Sequence, residues 1–225
     1  MPLTLPSLLR LLQLCSPTLP VGAYAYSQGL EYAVDRGWVR DETSAGEWIL
    51  GLLNHSVRRL DVPVLARLYR GWQETDAEAV QRWNARLYAS REAAELQQED
   101  RHLGTALARL LVDLGLNEAT SWRNAPQVCF ATLFSLAAVR WEIPLPEAAT
   151  GYAWAWTENQ IIAATRLIPL GQTASQRLLV AAGSAIAAAV VDGLTLADEE
   201  IGAAAPGLAL AGILHETQYS RLFRS

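Results

Sequence analysis

The histidines and their acidic neighbours are the residues with the clearest potential for metal or acid–base chemistry. Glu99 and His102 lie three residues apart on a predicted helix, the spacing of the Glu-x-x-His ligand pair in di-iron bundles. Such a centre needs a second pair, and the sequence contains none. We therefore expect a solvated helical face supported by ion pairs. His215-Glu216 begins like a zinc-protease motif, but Tyr219 stands where the second histidine is required.

Nucleophile and phosphate-binding motifs are also missing from the sequence. All 18 basic residues are arginine, which excludes a P-loop lysine, a Schiff-base lysine and a lysine general base. Gly-x-Ser-x-Gly and Gly-x-Gly-x-x-Gly patterns do not occur. Cys15 and Cys129 lie singly in apolar stretches, so we expect buried free thiols. The residues indicate no enzyme, no metal site and no cofactor bound by this chain.

Composition and charge are those of a globular protein. The 225 residues are 51% hydrophobic and 18% charged, which predicts one domain over residues 1–225. The net charge of −5 leaves no basic surplus for nucleic acid. Residues 1–9 lack the basic start of a signal peptide, and the apolar run 178–191 is too short to span a bilayer. We expect a cytoplasmic protein that binds no membrane, with this run as a tightly packed core helix.

Helix signals recur along the chain, whereas alternating strand patterns with tight turns do not. The prediction is an all-α fold, a single compact domain of about nine to ten helices. The predicted signals are Ser7 as the cap of a helix to about Cys15; a helix entered at 21–28 and ending near Gly37; a Ser44/Glu47 capping box; a start at Asp61 and Pro63; a Thr75/Glu78 capping box; a helix from about Arg91 to Leu114, stopped by Gly115; a start at Pro126; a break at Pro144 and Pro146; and Thr173/Gln176 as the cap of an alanine-rich helix that closes at Gly193.

Residues 19–31 carry more polar and glycine residues than a scaffold needs. They place glycines, tyrosines and a serine at a helix mouth, where backbone approach is close and N–H groups are free. The alternative is a glycine-tolerant helix start packed by its tyrosines. The candidate residues here are Gly22, Tyr24, Ser27, Gly29 and Glu31.

Residues 90–104 are rich in charge. Arg91 and Glu95 have the i,i+4 spacing of a helical ion pair, and Glu92 belongs to the same run. Gly104 inside the predicted helix suggests a close approach by another helix. The alternative is a solvated helical face.

Two further segments stand out. Residues 166–172, Arg166-Leu-Ile-Pro-Leu-Gly-Gln172, contain the proline and glycine of a helix break. Residues 212–225 end in aromatic residues interleaved with arginine, the composition of binding hot spots. We favour a partner-binding tail over residues 215–225 that orders on docking, over a tail packed on its own domain. The candidate residues in the tail are Tyr219, Ser220, Arg221, Leu222 and Phe223.

Taken together and in this order, the four segments resemble the UreF family of urease accessory proteins. Segments that carry the resemblance include Pro20-Val-Gly-Ala-Tyr-Ala-Tyr-Ser-Gln-Gly-Leu-Glu31 and the ending Glu216-Thr-Gln-Tyr-Ser-Arg-Leu-Phe-Arg-Ser225. The resemblance implies a non-enzymatic, all-α chaperone of urease maturation that forms a homodimer. It implies that the protein binds UreD (UreH), recruits the GTPase UreG, and helps to insert nickel into apo-urease, with nickel and GTP handled by the partners.

The resemblance also implies residue roles. Gly22, Tyr24, Ser27, Gly29 and Glu31 would shape the surface near the helix mouth. Arg91, Glu92, Glu95 and Gly104 would belong to the long helix, at a dimer or GTPase-facing surface. Tyr219, Arg221, Leu222 and Phe223 would order the tail once UreD binds and so complete the UreG-binding surface.

Two other functions stay open at this point. One is a GTPase-activating protein that supplies Arg91 or Arg221 in trans to UreG. The other is a direct nickel carrier, for which three scattered histidines and two isolated cysteines are a poor ligand set.

Overall fold

The computed structural model describes residues 2–203 and 205–225, so Met1 and Ala204 of the predicted domain lie outside the described residues. This part of the chain is a single compact all-helical domain without strands, which confirms the predicted fold class and helix count. Its ten α-helices are α1 (Leu5–Cys15), α2 (Leu30–Asp35), α3 (Glu42–Leu52), α4 (Val62–Glu74), α5 (Ala77–Ala89), α6 (Ala94–Asp113), α7 (Phe130–Arg140), α8 (Leu145–Leu167), α9 (Gln172–Thr195) and α10 (Pro206–His215). Shorter 3₁₀ segments are Ala23–Ala25, Asn117–Trp122 and Asp198–Glu200, and a π-helix covers Leu53–Asp61.

The first two predicted N-caps were wrong by three residues. In α1 the cap is Thr4, whose Oγ1 accepts the Ser7 N–H at 3.3 Å. In α3 the cap is Asp41, whose Oδ1 accepts the Ser44 N–H at 2.9 Å. In both cases the predicted cap is itself the third residue of the helix, because an acceptor further upstream satisfies its free N–H group.

Two later caps also differ from the prediction. Asp76 caps α5 by accepting the Ala79 N–H at 2.9 Å, while Thr75 adopts a left-handed conformation at the end of α4. Thr173 lies inside α9, which begins after Gly171 without a side-chain cap.

The helix predicted to start at Asp61 and Pro63 is present as α4, which begins at Val62, but no break precedes it, because the chain is helical from Glu42 to Glu74. The π-helix Leu53–Asp61 joins α3 to α4, and Pro63 falls in the first turn of α4. Ser56 and Asp61 of the π-helix are buried polar residues.

The predicted single helix from residues 21–28 to Gly37 is wrong as well. Gly22 and Gly29 adopt left-handed φ angles of 83° and 76°. Gly22 directly precedes the 3₁₀ segment Ala23–Ala25, and Gly29 directly precedes α2. Gly37, with φ 70°, follows the end of α2 as predicted.

The boundaries of the later helices agree in part with the prediction. α6 ends at Asp113 before the left-handed Gly115, as predicted, but it begins at Ala94, so Arg91 and Glu92 precede it. α7 begins at Phe130, four residues after the predicted start. The predicted breaks at 144–146 and 166–172 lie on either side of α8.

α4 is the central helix and packs against α5, α7, α8 and α9. Its Val64, Leu65 and Leu68 are fully buried, and Leu133 and Phe134 of α7 belong to the same cluster. Burial of these apolar side chains supplies most of the driving force for folding.

The interpretation of residues 178–191 as a tightly packed core helix was wrong. α9 has 24 residues and continues past Gly193, so by length and composition it could cross a bilayer. The most apolar window of α9 is only 28% buried, although one face packs against α8 and the π-helix. Its other face exposes small and apolar side chains such as Val180, Ala188 and Val191.

Candidate functional site

The C-terminal tail is packed on the domain, and because His215 ends α10 the tail comprises residues 216–225 and not the predicted 215–225. Phe223 is buried in a small cluster with Leu30, Ala163 and Ile168. The Ser27 N–H donates to the Ser225 carbonyl at 2.8 Å, and the Arg224 N–H donates to the Ala25 carbonyl at 2.9 Å. The expectation of a tail that orders only on docking is therefore wrong for the free chain, which has the self-packed alternative.

Glu31 of α2 is the principal anchor of the tail. Its side chain is almost fully buried, and Oε1 accepts the Leu222 N–H at 2.6 Å. Oε2 accepts the Phe223 N–H at 2.8 Å. A buried carboxylate that accepts two backbone N–H groups holds both peptide units in one orientation, because charge-assisted hydrogen bonds are strong and directional.

Glu95 in the first turn of α6 is the second anchor. Its Oε1 lies 2.6 Å from Nη1 of Arg221, and its Oε2 lies 2.6 Å from Nδ1 of His215. The predicted Arg91–Glu95 ion pair is therefore wrong, since Glu95 is committed to the tail. The side chain of Arg221 remains 41% exposed despite this contact.

Residues 22–31 form the other half of the site. At Gly29 an added Cβ would lie 2.9 Å from the Ala211 Cβ and 3.3 Å from the Gly212 nitrogen, so glycine lets α10 approach closely. The hydroxyl of buried Ser27 accepts the Glu31 N–H at 3.3 Å. The same hydroxyl donates to the Ser225 carbonyl and so holds the end of the tail. The structure thus joins Ser27, Gly29 and Glu31 to the tail, as a single buried arrangement.

Arg166 of α8 connects the two halves. Its Nη1 donates to the Tyr24 carbonyl at 3.3 Å, and its guanidinium lies 5.9 Å from the Phe223 ring centroid. Tyr24, Tyr219 and Leu222 are exposed, and Tyr219 is fully so. Ser220 is exposed as well, whereas Gly22 supplies the left-handed turn that precedes Tyr24.

Arg91 belongs to a separate buried network. Its Nη2 and Nη1 lie 2.6 and 3.4 Å from the two carboxylate oxygens of Asp61, and its Nε lies 2.7 Å from Asp100. The Tyr152 hydroxyl donates to Asp61 at 3.2 Å, and the Phe130 N–H donates to Asp100 at 3.0 Å. Burial lowers the pKa of Arg91, but the carboxylates of Asp61 and Asp100 outweigh it and raise that pKa well above its ordinary value.

The charged run 90–104 is therefore not the predicted solvated face. Glu95, Glu99 and Asp100 are all buried, while Glu92 and His102 are exposed. Nδ1 of His102 lies 2.7 Å from the Tyr26 hydroxyl. The predicted Glu99–His102 face is thus split between the interior and the surface.

Glu99 lies between the tail and a partly open cavity of about 130 Å³. Its two carboxylate oxygens accept hydrogen bonds from Gln28 Nε2 at 2.8 Å and from Ser225 Oγ at 3.0 Å. Asp61 and Asp100 also line the cavity, with Arg91 as the opposing charge. Burial raises the pKa of Glu99 to about 7, against the lowering effect of the Gln28 and Ser225 hydrogen bonds.

Gly104 and the cysteines lie away from the tail contacts. A Cβ on Gly104 would lie 2.8 Å from the Val128 carbonyl oxygen, so the close neighbour is the backbone before α7 and not another helix. Cys129 is buried and Cys15 partly buried, and both are free. Burial raises the pKa of Cys15 to about 12 and that of Cys129 well above its ordinary value, which makes both thiols poor nucleophiles.

Across residues 2–203 and 205–225, no three histidine, cysteine or acidic side chains are grouped in a way that could hold a metal ion. The arrangement binds the tail by hydrogen bonds and ion pairs and presents exposed residues around it. Sequence reasoning missed His215, Asp61, Asp100 and Arg166. His215 was considered as part of a failed zinc motif and as the first residue of the predicted tail, without a role in anchoring that tail. The pairing of Asp61 with Arg91 across 30 residues leaves no local signal.

Comparisons with known proteins agree over nearly the whole chain. A family model described as UreF matches residues 39–183. The urease accessory protein UreF of Alkalilimnicola ehrlichii is 56% identical over 216 residues, which are 96% of this chain and 95% of that protein. The urease accessory protein UreF of Teredinibacter turnerae is 52% identical over 218 residues, 97% of this chain and 98% of the relative. The chain therefore belongs to the UreF family of urease accessory proteins.

Proposed function

We propose that the chain is a non-enzymatic scaffold that bridges UreD (UreH) and the GTPase UreG, and that the resulting complex helps to insert nickel into apo-urease. The observation that carries the proposal is the docked tail, whose exposed Tyr219, Arg221 and Leu222 surround contacts fixed by buried carboxylates. Aromatic residues and arginine are enriched at the hot spots of protein interfaces. Nickel is the cargo of the complex and UreG hydrolyses the GTP, so this chain needs no cofactor of its own.

UreD and UreG would share the surface made by residues 22–31 and the tail. Tyr24 and Tyr219 lie on its two parts, and Arg166 contacts both parts. A tail that is already ordered loses little conformational entropy on binding, so more of the contact energy would appear as affinity. UreD would therefore add contacts beside a preformed tail to complete the UreG surface.

The first test replaces Arg221. We expect Arg221→Ala to retain the fold and UreD binding, since Arg221 is partly exposed and Glu95 keeps its contact with His215. UreG recruitment should weaken by about 30-fold or more, the lower range for truncating one partner of a hydrogen-bonded charge pair at an interface. The control is Arg82→Ala, an exposed arginine of α5 that lies 4.0 Å from Glu78.

Recruitment is measured by pull-down of UreG·GTP with the chain and UreD at several concentrations. If Arg221→Ala recruits UreG as well as Arg82→Ala does, the tail is not part of the UreG surface. Loss of UreG with both variants would also contradict the assignment, because the effect would then follow net charge and not position.

A second candidate function is GTPase activation, and the exposure of Arg221 favours it as the finger. Arg91 is unsuitable because its guanidinium is paired with Asp61 and Asp100 in the interior. Single-turnover GTP hydrolysis in the assembled complex distinguishes the functions. An arginine finger predicts a loss of about 10³-fold or more with Arg221→Ala, even when UreG is saturated with the complex. A scaffold predicts an unchanged rate at saturation.

We also propose that two copies of the chain associate through the exposed face of α9. Small side chains such as Ala188 let two helices approach closely, and one twofold axis would cover the same patch on both copies. Ala188→Arg should convert a dimer to a monomer in light scattering, whereas an exposed control, Gln98→Arg on α6, should not. A wild-type monomer that binds lipid vesicles would instead assign this face to a membrane, against the expected cytoplasmic location.

A further inference from the structure

His215 lies at a junction of three helices and the tail. It is the last residue of α10, and its side chain is fully buried. Nδ1 lies 2.6 Å from Oε2 of Glu95 on α6, and Nε2 lies 3.2 Å from Oε2 of Glu31 on α2. The two carboxylates therefore approach opposite edges of one imidazole ring.

The donor and acceptor inventory restricts the protonation state of this ring. A neutral imidazole has one N–H donor and one bare nitrogen, whereas an ionised carboxylate can only accept. The two oxygens of Glu31 already accept the N–H groups of Leu222 and Phe223, and the other oxygen of Glu95 accepts from Arg221. A neutral ring would therefore point a lone pair at one carboxylate, which is repulsive in a buried site.

The charges of the cluster lead to the same state. Glu31 and Glu95 carry two negative charges, and Arg221 carries one positive charge. Glu216, the next residue along the chain, is exposed and accepts the Ala94 N–H at 3.1 Å, so it is not one of the buried carboxylates that flank the ring. A protonated ring balances the buried carboxylates, whereas a neutral ring leaves one of these charges uncompensated, which is costly in a low-dielectric site.

We propose that His215 is held as an imidazolium between Glu31 and Glu95, and that this charged triad positions the tail for partner binding. The triad fixes the carboxylates that hold the Leu222 N–H and the Arg221 guanidinium. His215 is thus a positioning residue, and its effect on partner binding rests on the function proposed above. The protonation of the ring and the order of the tail do not rest on that function.

The direct test of the ring is ¹⁵N NMR of the full chain at pH 7, with all three histidines labelled. His215→Gln identifies the His215 signals by their disappearance. We expect both His215 ring nitrogens to carry a proton, with two N–H couplings and similar shifts. One protonated and one bare nitrogen would overturn the proposal.

The test of positioning uses hydrogen exchange of the tail in a matched set of variants. We expect His215→Gln to speed exchange of the amides of residues 222 and 223 by about 10-fold or more, whereas His55→Gln, at an exposed histidine, leaves it unchanged. Adding Glu95→Gln to His215→Gln removes the uncompensated charge and keeps both Glu31 oxygens as acceptors of the tail N–H groups, so the double variant should exchange more slowly than His215→Gln alone. If His215 serves only to fill space, the double variant exchanges as fast as His215→Gln or faster.

UreG recruitment by the same variants separates this proposal from the proposed function. A disordered tail in His215→Gln together with weakened recruitment supports both. A disordered tail with full recruitment supports the triad and contradicts the tail as the UreG surface. A protected tail in His215→Gln overturns the positioning role whatever the recruitment.

Discussion

Removal of Arg91 is expected to destabilise the fold strongly. Its guanidinium spans Asp61 and Asp100, with closest N···O distances of 2.6 and 2.7 Å. The exposed fractions of the three side chains are 16%, 6% and 7%, so the two carboxylates depend on the guanidinium for most of their charge compensation. Arg91→Ala leaves two buried carboxylates without a counter-charge.

The magnitude follows from the asymmetry of buried ion pairs. The intact network contributes little net stability, because desolvation of the charges offsets their attraction. Loss of one partner costs about 3–5 kcal/mol, since the desolvation is kept and the attraction is lost. This loss is a large fraction of the unfolding free energy of a typical domain, about 5–15 kcal/mol. The Arg91→Ala variant should therefore be only marginally stable.

The assay is equilibrium urea unfolding followed by far-ultraviolet circular dichroism at pH 7. The control is Arg82→Ala on the exposed face of α5, expected to lie within about 0.5 kcal/mol of the unsubstituted chain. Combining Arg91→Ala with Asp61→Asn and Asp100→Asn removes the uncompensated charges and should recover part of the loss. A loss below about 1 kcal/mol for Arg91→Ala, or no recovery in the triple variant, would refute the account of this network.

Two further predictions concern packing and pH. Gly104→Ala should lower the unfolding free energy by about 1–3 kcal/mol, because the added Cβ would lie 2.8 Å from the Val128 carbonyl oxygen. The control is Gly51→Ala, which has open space and should raise the unfolding free energy by about 0.5–1 kcal/mol. Equal losses for the two variants in urea unfolding would contradict this. The pKa of Glu99 rises from 4.5 in the unfolded chain to about 7 on folding, so its contribution to stability is full below pH 4.5 and is lost as the pH rises to about 7. That loss amounts to roughly 3 kcal/mol at 1.36 kcal/mol per pKa unit, and it should be absent in Glu99→Gln. The prediction is contradicted if the unfolding free energy changes between pH 5 and pH 8 by the same amount in Glu99→Gln as in the unsubstituted chain.

The all-α fold could be predicted because helix period and stop signals are local. The prolines at 144 and 146 and the left-handed glycines at 37 and 115 mark chain breaks wherever the rest of the chain lies. The join of α3 to α4 could not be predicted in this way, since Pro63 is tolerated in a first helical turn and the π-helix before it has no local sequence signature.

The contacts within the candidate site could not be predicted from residue spacing. Spacing along a helix suggested that Arg91 pairs with Glu95, but partners distant in the sequence took both residues. Asp61 is 30 residues from Arg91, and Arg221 is 126 residues from Glu95. Tertiary packing therefore decided which charges are buried, and residue spacing carries no information about such contacts.

The measurement that tests the scaffold proposal most directly is size-exclusion chromatography with light scattering on the chain alone, then with UreD, and then with UreD and UreG·GTP. We expect a dimer that binds UreD and takes up UreG only when UreD is present, with UreG uptake strongly reduced in Arg221→Ala. A chain that binds neither partner, or that takes up UreG equally well with Arg221→Ala, would contradict it.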